Sequence, residues 1–120
     1  MRTIFYALLI LLISSISFAA EGTNNKSTWK TIGEIQDTGN NIKKVTIEFR
    51  YQGYNDYYKH SIEEANCSKK LIRSIDSKTY KNNGELVKHE IPENKPPYYG
   101  YIAPLKGTPS EDIYNAICNQ

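Results

Sequence analysis

Few side chains in this 120-residue sequence are equipped for chemistry, and their spacing restricts what they can do. There are two histidines, His60 and His89. Neither belongs to a Ser/His/Asp signature or a glycine-rich phosphate loop, and neither has metal-ligand spacing with the cysteines. Two histidines and a lysine in a small secreted chain can act as general acid and base, as in a secreted ribonuclease. Against that, His60 lies in a polar stretch and His89 in a strand pattern, and both read as surface residues. The adjacent acids Glu63 and Glu64 fall in a strand, where neighbours point to opposite faces, so they do not share a site. Glu111 and Asp112 fall in a first helical turn, where negative charge suits the dipole. The expectation is no catalytic residue, no metal and no cofactor, hence not an enzyme. A hydrolase using His60 and His89 is the remote alternative.

Tyrosine is the unusual residue, with ten in the chain. They gather at Tyr51, Tyr54, Tyr57 and Tyr58, and again at Tyr98, Tyr99 and Tyr101. Tyrosine offers a large rigid surface with a polar tip, which suits protein recognition. Tyr54, Tyr57 and Tyr58 in a connecting loop, with Tyr98, Tyr99 and Tyr101, are therefore the candidate protein-binding residues. The alternative is that they only cover a sheet, where aromatics are favoured anyway. Lys69, Lys70 and Arg73 make a small basic stretch that suits an acidic partner or a solvated strand face equally.

The elements that must position these residues are mostly strands. Trp29 to Ile35 predicts a first strand, and Asp37-Thr38-Gly39-Asn40-Asn41 a turn. Lys44 to Tyr51 alternates strictly: Val45, Ile47, Phe49 and Tyr51 point one way, Lys44, Thr46, Glu48 and Arg50 the other. That is an antiparallel strand with one face on a core and one in water. Gln52 to His60 reads as a Tyr-rich connection and Ser61 to Ala65 as a short strand. Ser68 to Lys81 reads as one long strand, or two broken near Asp76. Asn82-Asn83-Gly84 is a hairpin turn leading to a strand at Glu85 to Ile91. Pro92 to Pro97 is a rigid loop, and Tyr98 to Ile102 a last strand. Thr108-Pro109-Ser110-Glu111 starts a helix, with Thr108 as cap and Glu111 at the capping-box position. Ile113, Ala116 and Ile117 then share one helical face.

The start of the chain has the charged, apolar and small-residue order of a secretory signal peptide. Arg2 is followed by an unbroken apolar run from Ile4 to Ile13 and by Ser17-Phe18-Ala19, which predicts cleavage after Ala19. The run is well short of the ~20 residues that cross a bilayer. Residues 1–19 are thus expected to be the leader, 20–28 a flexible segment and 29–120 one domain. Without Arg2 the mature balance is 14 basic against 13 acidic side chains. That is no basis for nucleic-acid binding. No stable membrane anchor is expected after cleavage.

In an exported chain the two cysteines, Cys67 and Cys118, suggest a disulfide. Only one intramolecular pairing exists; free thiols or an intermolecular bridge are the alternatives. The bridge would close about 50 residues and contribute ~4 kcal/mol in the chain-entropy picture. The expected architecture is an antiparallel sheet with a short C-terminal helix fastened to it.

Several blocks of residues carry a resemblance. Trp29-x-x-Ile32-Gly33 opens the domain. Asn66-Cys67-Ser68-Lys69-Lys70 follows, then Tyr80-x-x-Asn83-Gly84-Glu85-Leu86-Val87. Pro104-x-x-Gly107-Thr108-Pro109-x-Glu111 and Ala116-Ile117-Cys118 close it. In order and spacing the chain resembles the surface-adhesin protein E-like family of exported bacterial proteins, over about Trp29 to Cys118. The resemblance implies an α+β, mainly β fold: an antiparallel sheet of about six strands with the helix held on its concave face by Cys67 and Cys118. It also implies a non-enzymatic envelope protein whose ligand is a protein. In its adhesin form the ligand is a host extracellular-matrix protein, and the family's best-known member can dimerise, so a homodimer joins the expectations. In the alternative form the chain is a periplasmic envelope or stress protein with a partner in its own cell. Two departures stand out. The family's tryptophan before the last helix is absent, with Tyr98, Tyr99 or Tyr101 in that region, and there is no lipobox cysteine. Localisation is thus expected to be the periplasm or the cell surface.

Overall fold

The computed structural model describes residues 20–24, 27–51, 56–92 and 100–119. The expected leader and Tyr54, Tyr98 and Tyr99 lie outside them, as does most of the Pro92 to Pro97 loop. Among the described residues, six strands form one antiparallel meander in sequence order: β1 (Glu21–Asn24), β2 (Ser27–Gly39), β3 (Ile42–Tyr51), β4 (Tyr57–Asn66), β5 (Leu71–Lys81) and β6 (Leu86–Glu90). A helix, α1 (Pro109–Cys118), follows. The antiparallel sheet with its C-terminal helix agrees with the sequence reading, although the strands differ in part.

Turn chemistry explains the hairpins. Asn40 and Asn41 both have positive φ, 57° and 62°, and join β2 to β3 directly. A two-residue loop with both residues left-handed matches the twist of the strands, and asparagine tolerates that conformation. β2 therefore runs to Gly39, and the expected five-residue turn contracts to these two. At the β5–β6 turn only Gly84 is left-handed, with φ 91°, while the Asn83 side chain accepts a hydrogen bond from the Glu85 N–H.

Alternation along β3 sets the two faces. Val45, Ile47 and Phe49 are buried with Trp29, Ala65 and Ile72, under Ile113 and Ile117 of α1. Registry carries this helix-covered face across the sheet, through Ile47 opposite Ser61 and Val45 opposite Glu63. The other face bears Lys44, Thr46, Glu48 and Arg50, and no helix lies on it among the described residues. At the helix start Pro109 occupies the first turn as expected, but the capping box does not form. The Thr108 hydroxyl donates to the Leu105 carbonyl instead, and the Glu111 carboxylate accepts from the Gly107 N–H. Cys67, in the β4–β5 turn, is joined to Cys118 at the last turn of α1, with their Cα atoms 5.6 Å apart.

Three expectations need correction. In the segment 20–28, expected to be flexible, the described residues supply β1, at Glu21–Asn24, and the start of β2 at Ser27. No apolar pattern marks β1, because its pairing is a matter of backbone and space. Gly22 lies under the Trp29 indole, where a Cβ would sit 2.5 Å from Nε1. The Ala20 N–H and carbonyl are both taken by Thr31. Ser68 to Lys70 is turn rather than strand, and the break expected near Asp76 is a bulge at Ile75 between paired Ser74 and Asp76. The expected last strand is reduced, among the described residues, to one bridge between Ile102 and Ile72.

Candidate functional site

The open face is where the candidate residues meet. Pairing places Glu21, Lys30, Glu48, His60, Lys78 and His89 in one row across all six strands. Glu48 is its hub. Its carboxylate lies 3.5 Å from Lys30 Nζ, 3.3 Å from Arg50 Nε and 3.0 Å from His60 Nε2. Burial alone would push the Glu48 carboxyl up. The hydrogen bonds with His60 and Arg50, with the charges of Lys30 and Arg50, outweigh it and hold the carboxyl below the usual range.

An aromatic platform adjoins the row. Tyr58 and Tyr80, opposite each other on β4 and β5, stack with centroids 5.3 Å apart. The His60 ring lies 5.2 Å from Tyr58 and 5.4 Å from Tyr80, and the Arg50 guanidinium sits 4.9 Å over Tyr58. Arg50 also donates to the Asn82 side chain at 3.3 Å. A hollow of about 440 Å³ opens beside this group, lined by Thr28, Lys30, Glu48 and Arg50 among others. A buried carboxylate that orients three basic side chains beside stacked tyrosines is built for recognition: planar contact from the rings, charge-assisted hydrogen bonds from the guanidinium.

The tyrosines expected to act together separate here. Tyr57 and Tyr58 belong to β4, not to a loop, and so face opposite ways: Tyr57 lies on the helix side of the sheet at its exposed end, Tyr58 on the open face. Tyr101 is on the open face but is bound into structure. Its hydroxyl donates to Glu64 at 2.5 Å, and the Arg73 guanidinium lies 4.4 Å over its ring. Burial and the Glu64 carboxylate, as hydrogen-bond partner and charge, push its hydroxyl up to about 12, against the pull of Arg73. The basic stretch divides likewise: Lys69 and Lys70 are exposed in a turn, while Arg73 pairs with Glu64 at 2.7 Å. His60 and His89 stand two strands apart, about 10 Å by strand spacing, and their Nε2 atoms contact Glu48 and Asp76 respectively.

No local signal in the sequence marks Glu48, Arg50 and Tyr80 as site residues. The alternation of β3 marks Glu48 and Arg50 as outward-facing, but only cross-strand registry brings Tyr58, His60 and Tyr80 beside them. Glu63 likewise carries no local mark of a site, although as a strand neighbour of Glu64 it lies on the opposite face, as expected. Glu63 is 8% exposed on the helix-covered face. It accepts hydrogen bonds from Ser74 at 2.7 Å and Ser61 at 3.3 Å, and among the described residues no basic group forms an ion pair with it. Burial pushes its carboxyl up, more than the two serines and the Lys59 charge bring it down.

A group whose folded pKa is raised favours folding below its unfolded pKa, and that benefit is lost as pH rises through the folded value. Glu63→Gln keeps the shape and removes the charge. It is expected to be more stable than wild type at pH 7 by about 1–2 kcal/mol, and the difference shrinks towards zero below about pH 4. Urea unfolding at pH 4 and pH 7 checks this; a variant less stable at both contradicts it.

No family model, no curated protein and no solved structure matches this chain.

Proposed function

We propose that the chain is an exported, non-enzymatic binding protein of the bacterial envelope, which holds another protein against the open face of its sheet. The supporting observation is the joining of Arg50, Tyr58, His60 and Tyr80 into one platform on a face that no helix covers among the described residues. Tyrosine and arginine are the residue types that dominate binding hot spots. Export is supported by the leader-like start and by the Cys67–Cys118 disulfide, a bond that persists in oxidising compartments. The resemblance to the surface-adhesin protein E-like family supports a narrower version, with a host extracellular-matrix protein as ligand.

A second reading has its own observation. Both cysteines of the sequence are joined to each other, so neither carries a lipid. That favours a periplasmic protein whose partner lies in its own cell. Protease shaving of intact cells, run beside osmotic-shock release, separates the two. Loss on shaving supports the adhesin; release intact from the periplasm removes it. Under either reading, Arg50→Ala with Tyr58→Ala is expected to weaken partner binding at least tenfold, about 1.4 kcal/mol, measured by biolayer interferometry. Unchanged affinity would exclude the open face as the contact.

A further inference from the structure

We propose that the groove between the sheet and the first turn of α1 is a second binding site, for a cationic group: an ammonium or guanidinium on an aliphatic chain, with Glu63 as counter-ion. The groove holds about 260 Å³, with Phe49, Tyr51, Lys59, Glu63, Ser74 and Ser110 among its lining residues. It lies on the face away from the Tyr58 platform and does not depend on that platform's role.

Three observations converge on this ligand class. First, Glu63 opens onto the groove while nine-tenths buried, with hydroxyl partners but no ion pair among the described residues. Lys59 acts on this carboxylate through its charge while held over the rings, without an ion pair; a buried carboxylate so placed costs stability, and an arriving cation supplies a direct partner. Second, the groove has an aromatic wall that already takes an ammonium. Phe49 and Tyr51 stack with interplanar angle 10°, and Lys59 Nζ lies 5.0 Å from the first ring and 5.7 Å from the second. Cations favour such ring faces. Third, the helix end does not oppose a cation as a bare N-terminus would. Pro109 offers no N–H there, and Glu111 and Asp112 offset the dipole from the first turn. Lys59 is thus the groove's resident cation. A ligand displaces it from the rings and reaches the Glu63 carboxylate beyond.

Two sources share this chemistry: a free aliphatic amine, and a basic side chain of a partner protein. The mature, disulfide-closed protein is titrated by calorimetry with cadaverine and with a capped pentapeptide holding one lysine among glycines. Saturable binding of either is expected, about tenfold weaker in Glu63→Gln and several-fold tighter in Lys59→Met. Binding of cadaverine alone assigns a free amine; binding of the peptide assigns a side chain. No saturable binding of either at about 10 mM, tenfold above a 1 mM Kd, overturns the proposal. Affinity unchanged in Glu63→Gln does the same. So does weaker binding in Lys59→Met, the response of a site for anions. Glu63→Gln is expected to fold at least as well as wild type, so lost binding there reports on the site.

Discussion

Cys118→Ala is expected to destabilise the mature protein by about 2–5 kcal/mol, the largest effect of any single substitution away from the core. The disulfide spans a sequence separation of 51, and that long loop is what it denies the unfolded chain. The native state also depends on it. α1 has ten residues, too few to persist unaided in water. Its attachment near the last turn is the disulfide together with the Tyr114 hydroxyl, which donates to the Cys67 carbonyl at 3.3 Å. The burial of Ile113 and Ile117 against the sheet is a second hold, separate from the bond, so loosening rather than complete unfolding is expected. Guanidinium unfolding of wild type and of Cys67→Ala/Cys118→Ala, which leaves no odd thiol, measures the loss. Hydrogen exchange should show α1 opening first. An unchanged midpoint would mean that the helix is held by packing alone.

Much of this architecture is written locally. The alternation from Lys44 to Tyr51 fixes both faces of the central strand, and the spacing of Ile113, Ala116 and Ile117 fixes the buried side of the helix. Two cysteines permit one internal pairing. What the sequence hides is non-local. β1 has no hydrophobic signal, because a strand recruited through its backbone, with Gly22 beneath an indole, needs none. Tyr57 and Tyr58 look like loop residues among Gln52, Gly53, Asn55 and Asp56, yet the strand extends to reach Lys81 and Tyr80 across β5. Glu63 looks like any strand acid until registry sets it opposite Val45 and the helix closes over that face. The candidate site shares this property. Arg50, Tyr58, His60 and Tyr80 lie on three strands, and no local motif links them.

Ile47→Ala should cost about 3 kcal/mol, and its surroundings say why the figure is not larger. Ile47 is fully buried at the centre of β3, beneath Ile113 and Ile117. Its row across the sheet is otherwise polar: Thr31 precedes it, and Ser61 and Ser77 follow. It is the apolar plug of that row, and truncation opens a space with hydroxyls on two sides. A dry cavity between aliphatic groups carries the full penalty, whereas one lined by Thr31 and Ser61 can admit a bridging water. Val45→Ala lacks such a flank on one side, where Glu63 is already taken by its serines, so it should cost nearly as much although fewer atoms are removed. Ile47→Ala and Cys118→Ala both loosen α1, so their effects should combine to less than their sum, because a helix already released has less to lose. Urea unfolding of the two single variants and the double measures the shortfall. Full additivity would show that Ile47 stabilises the sheet independently of the helix above it.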